Sequence, residues 1–197
     1  MPWYVLTGAP GSGKTAILRQ LEQDGFTVVE EAATDVIALA HADGEAEPWT
    51  SPGFAERIVA LQLRRERLAA ASHGQATVVF DRSPVCTLAL CRFLGHPVSP
   101  LLVAEVDRAV AERRYGEAVF FVRDQGFVTP TAARRISPAD AAAFEKVHEE
   151  TYGELGFRLI DVAPGPLAER VAVVRHGAAE LSRGRPAPIG DPKHQGG

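Results

Sequence analysis

Cysteine is scarce in this chain of 197 residues, with Cys86 and Cys91 as its two thiols. They lie five positions apart in a segment that is expected to be helical, so their side chains point in different directions. That geometry argues against a disulfide between them, and the spacing is not that of metal ligands. We therefore expect two half-buried thiols, which stay reduced in a reducing cytosol.

Long apolar runs are also missing, because no segment approaches the roughly 20 residues that a membrane-spanning helix needs. The chain starts directly with a strand-like segment and has no signal-peptide pattern. The net charge of −4 argues against an extended nucleic-acid-binding face. The six histidines are scattered without zinc-site spacing. We therefore expect a soluble, cytoplasmic protein that binds neither membranes nor nucleic acid.

The remaining composition is that of an ordinary globular domain, with 46% hydrophobic and 23% charged residues. Short apolar segments rich in β-branched and aromatic residues predict five strands, at 3–7, 26–29, 77–81, 118–122 and 158–162. Segments with helical periodicity or capping signals alternate with them, at 14–24, 35–41, 54–72, 84–94, 101–114, 137–155 and 166–181. This alternation predicts a parallel sheet covered on both faces. One α/β domain is expected over residues 1–181, followed by a disordered tail over 182–197.

A glycine-rich segment between the first strand and the first helix fills every fixed position of the pattern G-x-x-x-x-G-K-[ST]. The expected phosphate-binding segment comprises Gly8, Ala9, Pro10, Gly11, Ser12, Gly13, Lys14, Thr15 and Ala16. Its glycines let backbone amides wrap an anion at a helix N-terminus. We expect Lys14 to reach the β- and γ-phosphates and Thr15 to offer its hydroxyl to Mg²⁺. A glycine-rich turn with a chance lysine is the alternative, which the strand–helix context disfavours.

Two charged residues lie at the end of the third predicted strand and directly after it. Asp81 follows an apolar run, which is the position of an acid that holds water bound to Mg²⁺. Its alternative role is to cap the next turn. Arg82 follows directly and would project over the phosphates, the alternative being a surface arginine on a loop.

Glu30 and Glu31 follow the second predicted strand. Ligands of parallel sheets bind beyond the carboxyl ends of the strands, so at least one of these acids is expected in the same cleft. A carboxylate there would accept the proton of a substrate hydroxyl that attacks the γ-phosphate. It would otherwise bind a polar substrate or a metal-bound water, or face solvent near a helix start.

A polar segment, 123–137, follows the fourth strand and is expected to form a lid. Its adjacent Arg134 and Arg135 would bring positive charge to the phosphoryl group on closure. Arg123 is a weaker candidate. The alternative is a basic loop without a catalytic role.

Four segments together resemble the NadR-like group of small P-loop ATPases and kinases, also described as AAA-type ATPases. They are 8–15, 28–37, 80–83 and 152–157, with Glu31-Ala32 matching the glutamate–alanine pair of that group. The likeness covers most of the chain up to about residue 181. It implies a three-layer α/β/α P-loop fold with a five-stranded parallel sheet in the kinase-type order 2-3-1-4-5.

A fainter similarity links the chain to deoxynucleoside kinases, which carry a glutamate after the second strand and an acid-Arg-Ser triplet after the third. Asp81-Arg82-Ser83 matches this triplet with aspartate in place of glutamate. The resemblance implies that Glu31 is the base and that Arg82 stabilises developing charge.

The favoured function is an ATP-dependent kinase for a small hydroxyl-bearing molecule, such as a nucleoside. ATP is then the co-substrate, Mg²⁺ the cofactor, and an unidentified acceptor the second ligand, with a homodimer left open. One alternative is a nucleotide-dependent switch that signals to a protein partner, although Val122-Arg123-Asp124-Gln125 is not a guanine-reading N-K-x-D motif. Another alternative is a phosphate-binding module that has lost activity, which the presence of Lys14, Thr15 and Asp81 disfavours.

Overall fold

The apolar segments of the chain form one parallel sheet. A computed structural model describes residues 3–72, 77–125 and 137–183. The strands are β1 (Trp3–Thr7), β2 (Thr27–Val29), β3 (Val78–Asp81), β4 (Ala118–Val122) and β5 (Arg158–Val162). Their order is β2-β3-β1-β4-β5, and each pairing is parallel. The predicted fold class and strand order are therefore confirmed.

Seven α-helices in the described ranges connect these strands. They are α1 (Lys14–Gln23), α2 (Ala32–Ala42), α3 (Phe54–Ser72), α4 (Pro84–Leu94), α5 (Pro100–Ala111), α6 (Pro138–Glu154) and α7 (Leu167–Arg183). Several predicted bounds were wrong. The second helix starts three residues before the predicted Asp35, because Glu31 already has the extended backbone of an N-cap. The loop predicted over 42–53 contains a 3₁₀ helix, Pro48–Thr50. The last helix, α7, extends two residues beyond the predicted end at residue 181, so the first two residues of the predicted disordered tail are helical. The rest of that tail, 184–197, lies outside the described residues.

The sheet is buried on both faces, which explains why its central strands are continuous apolar runs. Val5 and Phe80 face a core built with α3, α4 and α5. Leu6 and Val79 face the opposite core, built with α1 and α7. Both cysteines are free, as predicted, but they are fully buried rather than half-buried. Within the described ranges, none of the helices combines the length and the apolar character needed to span a bilayer.

The register of the strands brings their carboxyl ends to one edge of the sheet. Leu6 of β1 is level with Asp81 of β3 and with Phe120 of β4, and Val29 of β2 is level with Phe80. The segments that leave β1, β2 and β3 therefore start next to one another. These are the segments that carry the glycine-rich loop, the two glutamates and the Asp-Arg pair.

Candidate functional site

Two glycines of the glycine-rich loop have a backbone conformation that favours glycine, and both lie close to neighbouring groups. Gly8 has a φ of 124°, and a Cβ atom there would lie 2.2 Å from the carbonyl oxygen of Val122. Gly13 caps α1 with a φ of 87°, and a Cβ atom would lie 2.6 Å from Arg170 Nη1 and 2.8 Å from Gln125 Nε2. At Gly8 the neighbour is backbone, so only glycine fits. At Gly13 the neighbours are the ends of flexible side chains, and it is the positive φ that favours glycine. Backbone amides therefore line this turn at the N-terminus of α1. The loop has the geometry of a phosphate cradle.

Lys14, the first residue of α1, folds back over this loop. Its ammonium donates to the carbonyl oxygens of Gly8 at 3.1 Å and Ala9 at 2.8 Å, and to Ser12 Oγ at 3.4 Å. Burial, and then the positive charge of Arg82, lower the pKa of Lys14 to about 8. An anion in the loop would compete for this ammonium and raise its pKa again.

Thr15 and Asp81 both line the cavity above the loop. Asp81 ends β3 and is 5% exposed, while Thr15 is the second residue of α1. A hydroxyl and a carboxylate are the hard oxygen donors that suit Mg²⁺, which protein sites usually hold together with phosphate oxygens. In the described part of the chain, no group of three or more His, Cys, Asp or Glu residues is arranged to hold a metal by itself. The donor set therefore fits a Mg²⁺ ion that arrives with a nucleotide.

Arg82 has an unusual backbone conformation for a non-glycine residue, with a φ of 74°. Such a residue costs about 1–3 kcal/mol and persists only where its surroundings hold it. Its N–H donates to the carbonyl oxygen of Leu6 at 3.0 Å, and its Nε donates to Glu31 Oε1. Burial opposes the charge of the guanidinium, but the carboxylate of Glu31 raises the pKa of Arg82 well above its usual value. Strain of this kind often marks a functional site.

Glu31 is the acid of the predicted pair that faces the cavity. Its carboxylate accepts hydrogen bonds from Arg82 Nε and from Thr34 Oγ1, the latter at 2.9 Å. Burial by itself would raise the pKa of Glu31, but the charges of Arg82 and Lys14 and these hydrogen bonds lower it to about 2. Glu30 is exposed and forms an ion pair with Arg19 instead. Thr34 thus bonds to Glu31, which is the N-cap residue of α2.

His148 of α6 also belongs to this cluster, although its spacing in the sequence indicated no role. It is fully buried, with Nδ1 2.9 Å from the Phe144 carbonyl oxygen and Nε2 3.2 Å from Arg82 Nη1. Burial, and then the charge of Arg82, lower the pKa of His148 to about 3. Only the tertiary fold brings α6 to the end of β3, so no local signal could have identified this residue.

A cavity of about 940 Å³ opens above the cluster. Its wall is largely apolar and includes Trp49, Phe54, Leu90, Phe93 and Phe144. A polar pair interrupts this wall, because Thr87 Oγ1 donates to Gln62 Oε1 at 3.1 Å and both residues line the cavity. An apolar enclosure with a few convergent polar groups is the usual character of a small-molecule site.

The lid arginines, Arg134 and Arg135, lie outside the described residues, as does most of the predicted lid. Arg123 at its start forms ion pairs with Glu145, Glu149 and Asp161. It therefore fastens the end of β4 to α6 and β5. The side chains of Gln125 and Arg170 lie next to Gly13, as described above. The sequence gave no sign of either contact.

A family model for the AAA domain matches residues 3–170 of the chain. The chain belongs to this AAA domain family. The match includes the glycine-rich loop, Glu31 and the Asp81-Arg82 pair. No curated protein sequence matches this chain.

Solved structures share the fold of this AAA domain. Deoxyadenosine kinase from M. mycoides, solved with dCMP and dCDP, has a TM-score of 0.58 at 14% identity over 91% of this chain and 100% of the kinase. NadR, in complex with NAD and AMP-PNP, has a TM-score of 0.62 at 12% identity over 96% of this chain and 51% of NadR. Thymidylate kinase from Candida albicans has a TM-score of 0.55 at 9% identity over 92% of each chain. Identities this low show a shared P-loop nucleotide-kinase fold alone.

Proposed function

We propose that this protein is an ATP-dependent kinase that transfers the γ-phosphoryl group to a hydroxyl of a small molecule, with nucleosides as the first class to test. One observation carries the proposal: Lys14, Glu31, Asp81 and Arg82 all line one cavity with the glycine-rich loop. The cavity, at about 940 Å³, has room for an acceptor beside the triphosphate. A phosphate-binding module without activity would not require a carboxylate aimed into such a cavity.

In this proposal the loop amides and Lys14 bind the phosphates. Thr15 and Asp81 would hold Mg²⁺, which supplies charge neutralisation at the β- and γ-phosphate oxygens when bound. Arg82 places a further positive charge beside the transferred group, and Arg134 and Arg135 of the lid would add theirs on closure. Positive charge around the equatorial oxygens is the main requirement of phosphoryl transfer.

Glu31 is the proposed base. The acceptor oxygen forms a bond to the γ-phosphorus while the bond from that phosphorus to the β–γ bridging oxygen breaks, and ADP leaves. The hydroxyl proton passes to the Glu31 carboxylate and then to solvent. With a pKa of about 2, Glu31 is ionised at neutral pH and only weakly basic. It therefore first orients the hydroxyl by accepting its hydrogen bond and takes the proton late, when the attacking oxygen has become acidic.

The cavity wall supports an acceptor with a flat apolar body and a polar edge. The aromatic and aliphatic side chains Trp49, Phe54 and Leu90 would enclose such a body, and the Gln62–Thr87 pair would meet polar atoms on its edge. A nucleobase has this combination, which is why nucleosides come first in the panel.

The test is ADP release from ATP and Mg²⁺ with and without a panel of nucleosides, sugars and amino alcohols. We expect one acceptor to raise the rate at least tenfold, and Lys14→Ala and Glu31→Gln each to abolish that rise. A slow rate that no panel member changes would contradict the kinase proposal. It would favour a nucleotide-dependent switch, for which a partner protein bound in only one nucleotide state should then be found.

A further inference from the structure

We propose that His148 is a positioning residue, which holds the guanidinium of Arg82 at the phosphoryl-transfer site by accepting a hydrogen bond without carrying charge. The consequence for catalysis rests on the kinase function proposed above. The consequence for the geometry of Arg82 does not.

The surroundings of His148 fix both the orientation and the tautomer of its ring. The Phe144 carbonyl oxygen, 2.9 Å from Nδ1, can only accept, so Nδ1 must carry the proton. Nε2 then presents a lone pair, and Arg82 Nη1 donates to it at 3.2 Å. The ring also packs edge-on against Phe144, with the ring centres 4.3 Å apart. His148 is 0% exposed, so water does not compete for these contacts.

A neutral acceptor suits this position better than a carboxylate would. A second acid beside Arg82 would neutralise the charge that phosphoryl transfer needs. Imidazole orients the guanidinium and leaves that charge available. The pKa of His148, about 3, keeps the ring neutral across the physiological range. The charged groups that act on it are Arg82, Lys14 and Glu31.

A second anchor for Arg82 is needed because the first one takes part in the reaction. Glu31 holds Arg82 Nε, yet Glu31 is also the proposed base. When its carboxylate turns to the acceptor hydroxyl or takes up the proton, its attraction for Arg82 weakens. The strained backbone of Arg82, with a φ of 74°, would then favour another conformation of the loop. The bond to His148 persists throughout this change.

The kinetic test is a double-mutant cycle, in which kcat and KM are measured with the acceptor that the panel identifies. We expect His148→Phe to lower kcat about 10- to 100-fold, as for the loss of a hydrogen bond to a charged group, with a small change in the KM for ATP. His148→Gln, which keeps an acceptor near the Nε2 position, should recover most of kcat. In an Arg82→Gln background, His148→Phe should change kcat less than about twofold, because the residue acts through Arg82. An equal loss in both backgrounds would overturn the proposal and leave a purely structural role.

The second test requires no substrate and therefore stands even if no acceptor is found. Long-range ¹H–¹⁵N spectra of histidine-labelled protein report the tautomer, and His148→Gln identifies the signal. We expect the Nδ1–H tautomer of His148 from pH 5 to pH 8. An Nε2–H tautomer or a protonated ring would overturn the proposal, since neither can accept from Arg82. A clear Nδ1–H tautomer without any acceptor-stimulated turnover would refute the kinase function alone.

Discussion

Lowering the pH from 7.5 to 5 is expected to destabilise the folded protein by about 2 kcal/mol through His148 alone. In the folded state, burial and the nearby charge of Arg82 lower the pKa of His148 from 6.5 to about 3. In the unfolded chain the ring regains its ordinary pKa. Between these two values the unfolded state binds a proton that the folded state does not. The contribution of His148 to the free energy of unfolding is therefore fully present above pH 6.5 and is lost as the pH falls toward 3.

The magnitude follows from the distance between the pH and the unfolded pKa. At pH 5 that distance is about 1.5 units, and each unit corresponds to about 1.36 kcal/mol, which gives about 2 kcal/mol. The ring is 0% exposed, so solvent screening does not reduce this value. Glu31, whose folded pKa of about 2 lies below its ordinary 4.5, loses its stabilising contribution mainly below that pH window.

The assay is urea unfolding at pH 7.5, 6.5 and 5 for the wild type, His148→Gln and His176→Gln. His148→Gln should be less stable than the wild type at pH 7.5, but it should lose about 2 kcal/mol less between pH 7.5 and pH 5. His176→Gln, at an exposed position of α7 beside Glu180, controls for the loss of a histidine as such. Equal losses in the wild type and in His148→Gln would refute the reasoning.

Three further predictions concern the glycine-rich loop and the packing of the helices. Gly8→Ala should abolish nucleotide binding, because its Cβ would lie 2.2 Å from the Val122 carbonyl oxygen, and calorimetric titration measures this. Gly177→Ala should destabilise the fold by about 1–3 kcal/mol in urea unfolding, because its Cβ would lie 2.6 Å from a phenylalanine ring of β4. The control Gly153→Ala, with nothing within 4 Å, should be neutral or stabilising by up to about 1 kcal/mol. Finally, nucleotide affinity should fall as the pH rises above the Lys14 pKa of about 8, with proton uptake on binding that calorimetry in two buffers detects. Unchanged affinity at pH 9.5 would contradict this role for the ammonium.

Local sequence signals predicted the sheet and the position of the glycine-rich loop because their physical causes are local. The central strands are buried on both faces and so appear as largely apolar runs, such as Ala118–Val122. The loop motif depends on glycines at fixed offsets from a strand and a helix. The parallel sheet then brings Glu31, Asp81 and Arg82 to the same edge, and this convergence follows from the strand order alone.

Other features of the site arise from contacts between distant segments, which leave no local pattern. His148 lies 66 residues from Arg82 and reaches it only because α6 packs beside α4. The left-handed backbone of Arg82 is held by those contacts, since an arginine has no intrinsic preference for it. Arg170 of α7 lies far along the chain from the loop, yet it packs against the loop at Gly13 and donates to the Ser12 carbonyl oxygen. The start of α2 was misplaced because the sequence gave no sign that Glu31 adopts the extended backbone of an N-cap.

The central claim is tested most directly by single-turnover transfer of the labelled γ-phosphoryl group to the acceptor, with Glu31→Gln and the wild type at equal nucleotide occupancy. The account predicts that Glu31→Gln transfers at least about 100-fold more slowly while its ATP affinity stays within about threefold of the wild type. Transfer at the wild-type rate by Glu31→Gln would contradict the account, because Glu31 would then not be the base.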